Sequence, residues 1–203
     1  MSDTKVKIIT KNTVLRMKRF YLIICFLMSI IGSAWGQETV IYAVENENVA
    51  ADANKTVDKE HVLLTFGNGA WNIKGISNAD DNFKNTLDGA SVNALDADGK
   101  TIKTDNIKIP VSGTFVKFEV RSNGKIDARY IVRSSTKTVY VTDNDLNVIK
   151  EIESTESDGN RKMFTDCVFD VEAGKSYYMW YSASKLSFAG FIFTPAPKTP
   201  KYT

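Results

Sequence analysis

The chain has 203 residues, 43% of them hydrophobic and 25% charged, with 26 basic against 24 acidic side chains and a single histidine. That composition belongs to a globular protein rather than a low-complexity one, and a formal charge of +2 supplies no basic stripe of the kind that binds nucleic acid, so no nucleic-acid partner is expected. One histidine and two cysteines leave few parts for a multi-histidine zinc site or a Ser-His-Asp triad.

Residues 1–16, "MSDTKVKIITKNTVLR", make little sense as targeting sequence and read as a mis-assigned extension, with Met17 the expected start. From Met17 the chain runs "MKRFYLIICFLMSIIGSAWGQ": two basic residues, an apolar run from Phe20 to Ile31, then small residues at Ala34 and Gly36. This is the pattern of a secretory signal peptide over 17–36, with cleavage before Gln37. The apolar run is shorter than the roughly 20 residues that span a bilayer. Cys25 lies inside it rather than just after a cleavage box, so no stable membrane anchor is expected. The protein is expected to be secreted, periplasmic or held at the cell surface.

Removal of residues 1–36 leaves 167 residues with 20 basic against 23 acidic side chains, a mildly acidic chain long enough for one domain with a sizeable core. Cys167 is then the sole cysteine; it alternates with Phe169 and Val171 in "TDCVFDVE" and reads as a small buried core residue.

A period of two runs through the rest of the chain. Thr39 to Ala43 reads as an opening strand, "HVLLTFGNGAWNIKGI" as a hairpin around Gly67 to Gly69, and Asp80 to Gly99 as a polar loop. In "TFVKFEVRSNGKIDARYIV", Val116, Phe118 and Val120 share one face, Asn123-Gly124 signals a hairpin, and Ile126, Ala128, Tyr130 and Val132 return. "KTVYVTDNDLNVIKEIE" repeats the plan with a polar turn over Asp143 to Asn147. "CVFDVEAGKSYYMWY" joins two strands through Ala173-Gly174, and Phe188 to Thr194 closes the series. Many short strands joined by Gly, Asn and Asp turns predict an all-β fold, an antiparallel β-sandwich or jelly roll over 37–195. After Pro195 the chain is polar and proline-rich, a tail over 196–203 without core-forming residues.

The order "GTFVKFEV", "NGKIDARYIV", "KTVYVTDNDLNVI", "FDVEAGKSYYMWYSASKLSFAGFIFTP" resembles the small β-sandwich modules of secreted pectate lyases and other polysaccharide-processing proteins of glycan-degrading Gram-negative bacteria. The matching positions are Asp170 to Lys175, Tyr177, Tyr178, Ser184 to Leu186, Gly190 and Phe191, and "HVLLTFGNGAW" resembles the opening strand pair. The likeness spans most of residues 60–195. It implies a sandwich with a carbohydrate-binding role, here without an attached enzyme.

Site candidates follow from the densest aromatic stretch. Tyr177, Met179 and Tyr181 share one face of a strand; Tyr178 and Trp180 share the other. If methionine marks the core, Tyr178 and Trp180 face outward, roughly 6 to 7 Å apart, as a platform for the C–H faces of sugar rings, with Ser184 and Lys185 supplying polar groups. The alternative is that a loop covers Trp180 as a large core residue. Tyr140, between Val139 and Val141, and Trp71, beside the Gly67 to Gly69 turn, are further candidates for ligand contact. His61 is expected to point to solvent at a strand start, and Phe191 and Phe193 to lie in the core. "TDNDLN" and "LDADGK" offer Asp143, Asn144, Asp145, Asn147, Asp96 and Asp98 as oxygen ligands for a structural calcium ion, but neither continues into an EF-hand pattern and both read as turns. No metal site and no cofactor is therefore assigned. The expected function is a non-catalytic module that binds a polysaccharide or oligosaccharide through exposed aromatic residues. A cell-surface protein-interaction or structural module is the alternative, followed by a small polysaccharide-active enzyme with paired carboxylates.

Overall fold

A computed structural model of the chain describes residues 38–44, 55–69, 71–89, 92–132, 137–154, 163–182 and 186–197. The expected extension and signal peptide, and the tail beyond Pro197, lie outside the described residues. Twelve strands follow one another among the described residues: β1 (Val40–Ala43), β2 (Thr56–Lys59), β3 (Val62–Phe66), β4 (Trp71–Gly75), β5 (Asn85–Gly89), β6 (Val116–Val120), β7 (Gly124–Ile131), β8 (Lys137–Asp143), β9 (Val148–Ser154), β10 (Met163–Val171), β11 (Ser176–Tyr181) and β12 (Ser187–Pro195). Among the described residues there is no helix.

The strands form two six-stranded antiparallel sheets packed face to face, the sandwich that the alternation predicts. The first sheet has the order β10-β7-β12-β5-β4, with β1 also paired to β12; the second has the order β2-β3-β6-β11-β8-β9. Alternation decides which side chains fill the space between them. Val116, Phe118 and Val120 of β6 are buried, while Lys117 and Glu119 face away and pair with each other at 3.2 Å. Phe118 meets Phe169, Phe188 and Phe191 with ring centroids 6.1, 6.0 and 5.7 Å away, all edge-on, the arrangement that aromatic quadrupoles favour. Cys167, Phe191 and Phe193 lie in the same core, as expected. Burial pushes the Cys167 thiol up to about 12, so it is a packing residue rather than a nucleophile.

Three expectations of local structure are corrected. Asn123-Gly124 is no hairpin: β6 lies in the second sheet and β7 in the first, so the turn carries the chain across the sandwich. Gly124 is required there by close packing, since a Cβ would come within 2.5 Å of the Thr194 carbonyl oxygen and 2.7 Å of the Phe193 ring. The Gly67 to Gly69 turn likewise joins β3 of one sheet to β4 of the other. The stretch from Asp80 to Gly99 contains β5, whose Thr86 and Asp88 are buried polar residues that hide the alternation from a reading of hydrophobicity. The Thr86 hydroxyl donates to Asp88 at 3.2 Å, and Lys74 stands 3.9 Å from the same carboxylate. By contrast, the hairpin over Asp143 to Asn147 forms as read, pairing β8 with β9.

Candidate functional site

The parity of β11 is as expected and the exposure is not. Tyr177, Met179 and Tyr181 enter the core between the sheets, and Tyr178 and Trp180 occupy the opposite face. Yet Trp180 is 0% and Tyr178 only 8% exposed. The segment between β5 and β6 lies over this outer face and contributes Ala94, Ile102 and Phe115, with Ile107 and Ile109 packed against the cluster. The Trp180 ring stacks on Tyr140 at 4.7 Å and its Nε1 donates to Thr142 Oγ1 at 3.4 Å. Tyr140 is therefore buried as well; its hydroxyl donates to Glu151 at 2.8 Å, and burial together with that carboxylate pushes the phenol up to about 12. Trp71 is a core residue, edge-on to Phe66, and its own Nε1 donates to the Gly67 carbonyl at 2.8 Å. The platform expected of Tyr178 and Trp180 gives way to the alternative, a loop over a core tryptophan, and the further contact candidates Tyr140 and Trp71 are buried as well. A ring closed in by side chains has no free face for a sugar. Ser184 and Lys185 lie outside the described residues.

His61 is also corrected, because its side chain is only 14% exposed. The ring stacks on Phe193 at 5.0 Å, its Nδ1 is 3.1 Å from Ser122 Oγ, and its backbone carbonyl accepts from Arg121 N. These contacts fasten the start of β3 to the turn before β7. Glu60 stands 3.8 Å from Nε2 but is largely solvated, so it does not orient the imidazole as a triad carboxylate would.

What the fold does bring together is the pair of acidic turns. Asp96, Asp98, Asn144 and Asp145 line one shallow groove of about 560 Å3, with Lys108 beside them and Ile109, Val111 and Leu146 as its main apolar lining. Val111 is 53% and Leu146 41% exposed, so the apolar part of the groove is open to solvent. Leu146 also has φ of 68°, a left-handed conformation that brings the Cβ of an L-residue too close to the following carbonyl oxygen. The turn holds it there. The Asp143 Oδ1 accepts from the backbone N–H groups of Asp145 and Asn147, both at 2.9 Å, and Oδ2 accepts from the Asn147 amide, also at 2.9 Å. Burial works against ionisation of Asp143, but these donors and the nearby Lys175 outweigh it and hold the carboxyl below its ordinary value. Asp96 does the same for its own turn, accepting from Asp98 N at 3.0 Å and Lys100 N at 2.8 Å. Both buried carboxylates are engaged as turn acceptors, and among the described residues no three His, Cys, Asp or Glu side chains are grouped to hold a metal ion.

Sequence reasoning singled out both acidic turns but weighed each alone for calcium. Their meeting, and the part played by Lys108, Ile109, Val111 and Leu146, was not foreseen. The signal for Leu146 was present, as an aliphatic residue amid turn formers in "TDNDLN". No protein-family model matches the chain, and no curated protein matches it.

Proposed function

We propose that this domain is a non-catalytic binding module that takes a polysaccharide or oligosaccharide in the groove between the 96–98 turn and the 143–147 turn. The observation that carries the reading is the composition of that groove, about 560 Å3 with aliphatic Ile109, Val111 and Leu146 beside Asp98, Asn144, Asp145 and Lys108. Aliphatic surface suits the C–H faces of sugars, and carboxylates, amide and ammonium suit their hydroxyls. The likeness to modules of polysaccharide-processing proteins supports the same class of ligand. With no aromatic residue in the lining of this groove the apolar contact is small, so the binding is weak.

The decisive experiment is affinity electrophoresis in gels containing soluble polysaccharides, with Leu146→Asp as the variant. Aspartate adopts the left-handed conformation more readily than leucine, so the variant should remain folded while losing its retardation. Retardation that survives both Leu146→Asp and Asp145→Ala would remove the groove from the account. Release of reducing sugar by the wild type, abolished by Asp98→Asn or Asp145→Asn, would make the protein an enzyme instead.

A second reading has its own observation. Val148 and Ile149, two and three positions beyond Leu146 at the start of the edge strand β9, are also exposed, and exposed aliphatic side chains at an edge suit a protein partner. Strand addition fits less well. β9 carries Lys150, Glu151 and Glu153, and its pairing with β8 is broken by a register shift, features that protect edges from further pairing.

A further inference from the structure

The charge pattern around the groove narrows the kind of glycan, given the glycan reading above. Asp98 and Asp145 are exposed in the groove, Asp96 lines it as a buried turn acceptor, and Lys108 is the cation of its lining. Asp96 also lines a second depression of about 540 Å3 on the same loop, where Lys100 and Lys103 stand beside Asp105 and Asn106. A strand that overhangs the first groove in that direction passes from a surface rich in carboxylate to one of mixed sign. Neither a polyanion nor a polycation is matched along this path. A polyuronate would bring a carboxylate against Asp98, Asp145 and Asp105 in turn, and a polyamine would do the same against Lys100, Lys103 and Lys108.

Hydroxyl groups are indifferent to this alternation, because each both donates and accepts. They donate to aspartate oxygens and accept from ammonium and amide groups. We infer that the ligand of the groove is a neutral polysaccharide, and that the carboxylates of Asp98 and Asp145 exclude polyuronates. The exclusion runs against the polygalacturonate that a likeness to pectate-lyase modules would suggest. Charge thereby serves as a device against the wrong ligand, while hydroxyl pairing and aliphatic contact serve the right one.

The test uses the full chain in affinity gels with neutral xylan, galactan and β-glucan on one side and polygalacturonate on the other, each at low and high salt. The expected result is retardation by at least one neutral polymer, little changed by salt, and none by polygalacturonate. In the double variant Asp98→Asn, Asp145→Asn the amides keep hydrogen-bonding capacity but remove two negative charges. Polygalacturonate should then bind about tenfold tighter at low salt, an effect that high salt screens, while neutral binding, which loses two charged acceptors, does not strengthen. Both positions are exposed turn residues, so thermal melts should show the variant folded. Wild-type protein that binds polygalacturonate as well as or better than the neutral polymers overturns this inference and leaves the glycan reading standing. An unchanged preference in the double variant overturns it also, since the two carboxylates would then not be the discriminating groups. Failure of every polymer of both classes to retard the wild type defeats the glycan reading itself.

Discussion

Each sheet of the sandwich has a buried patch on its outer face, and the two draw their rings from different places. On the second sheet the strands supply three large rings, Tyr140, Tyr178 and Trp180, and the covering segment supplies Ala94 and Ile102 with a single ring, Phe115. On the first sheet the strands supply Ile131 and Ala189, and the covering segment between β4 and β5 brings the ring, Phe83. Gly190 makes room for it: a Cβ there would come within 2.7 Å of Phe83 and 2.1 Å of the Tyr42 carbonyl oxygen. Arg129 lies 5.9 Å from the Phe83 ring centroid and pairs with Asp127, whose carboxyl burial holds above its ordinary value despite that partner. Rings rooted in a strand resist removal of the cover. A ring rooted in the cover leaves with it.

The sharpest way to break this comparison is Trp180→Ala. Trp180 is fully enclosed on a central strand, so the change should lower stability by about 3 to 5 kcal/mol, read as a fall in denaturant midpoint. A harmless outcome would mean that the outer face of β11 is open to solvent after all. Phe83→Ala should cost about 3 kcal/mol. Its signature differs: amide exchange should accelerate first in residues 76–84, leaving β11 protected. Uniform acceleration across both sheets would show that the two covers are not independent. Gly190→Ala should cost about 1 to 3 kcal/mol, because φ of 143° and the contacts with Tyr42 and Phe83 both oppose a side chain. Combining it with Phe83→Ala should give less than the sum, since one clash is relieved.

Tyr140→Phe should cost about 1 kcal/mol for the lost bond to Glu151. The phenol's folded value of about 12 lies above its ordinary value of 10.0, so its contribution is complete below the ordinary value and is lost as pH rises through the folded one. Ultraviolet titration should accordingly find this tyrosine un-ionised where free tyrosine has already titrated. The smallest effect belongs to Asp143→Asn. A depressed carboxyl contributes stability that is present above its unfolded value, about 3.9, and is lost as pH falls through the folded value. The difference between wild type and variant should therefore shrink on acidification below about pH 4. A gap that widens in acid would contradict the direction assigned to Asp143.

Much of this protein is written in its alternation. Period-two patterning is a local property, set by the pleat that sends successive side chains to opposite faces, so β6, β7, β8, β11 and β12 and the inward set Tyr177, Met179 and Tyr181 could be read without a partner strand in view. The fold class follows from the same signal. What lies over an outward face is a different matter, because it depends on a segment distant in sequence. Tyr178 and Trp180 are outward by parity and buried by residues 94–109, a segment whose polar turns show no regular pattern. The same limit governs the turns. Asn123-Gly124 reverses the chain, but whether the next strand pairs with its neighbour or crosses to the other sheet is decided by packing, here by Gly124 against Phe193 and Thr194. Likewise each acidic turn was legible alone, as Asp and Asn side chains satisfying their own backbone. Only the tertiary structure set them beside one groove, because that requires the β5–β6 segment and the β8–β9 hairpin to converge from positions more than forty residues apart in the sequence.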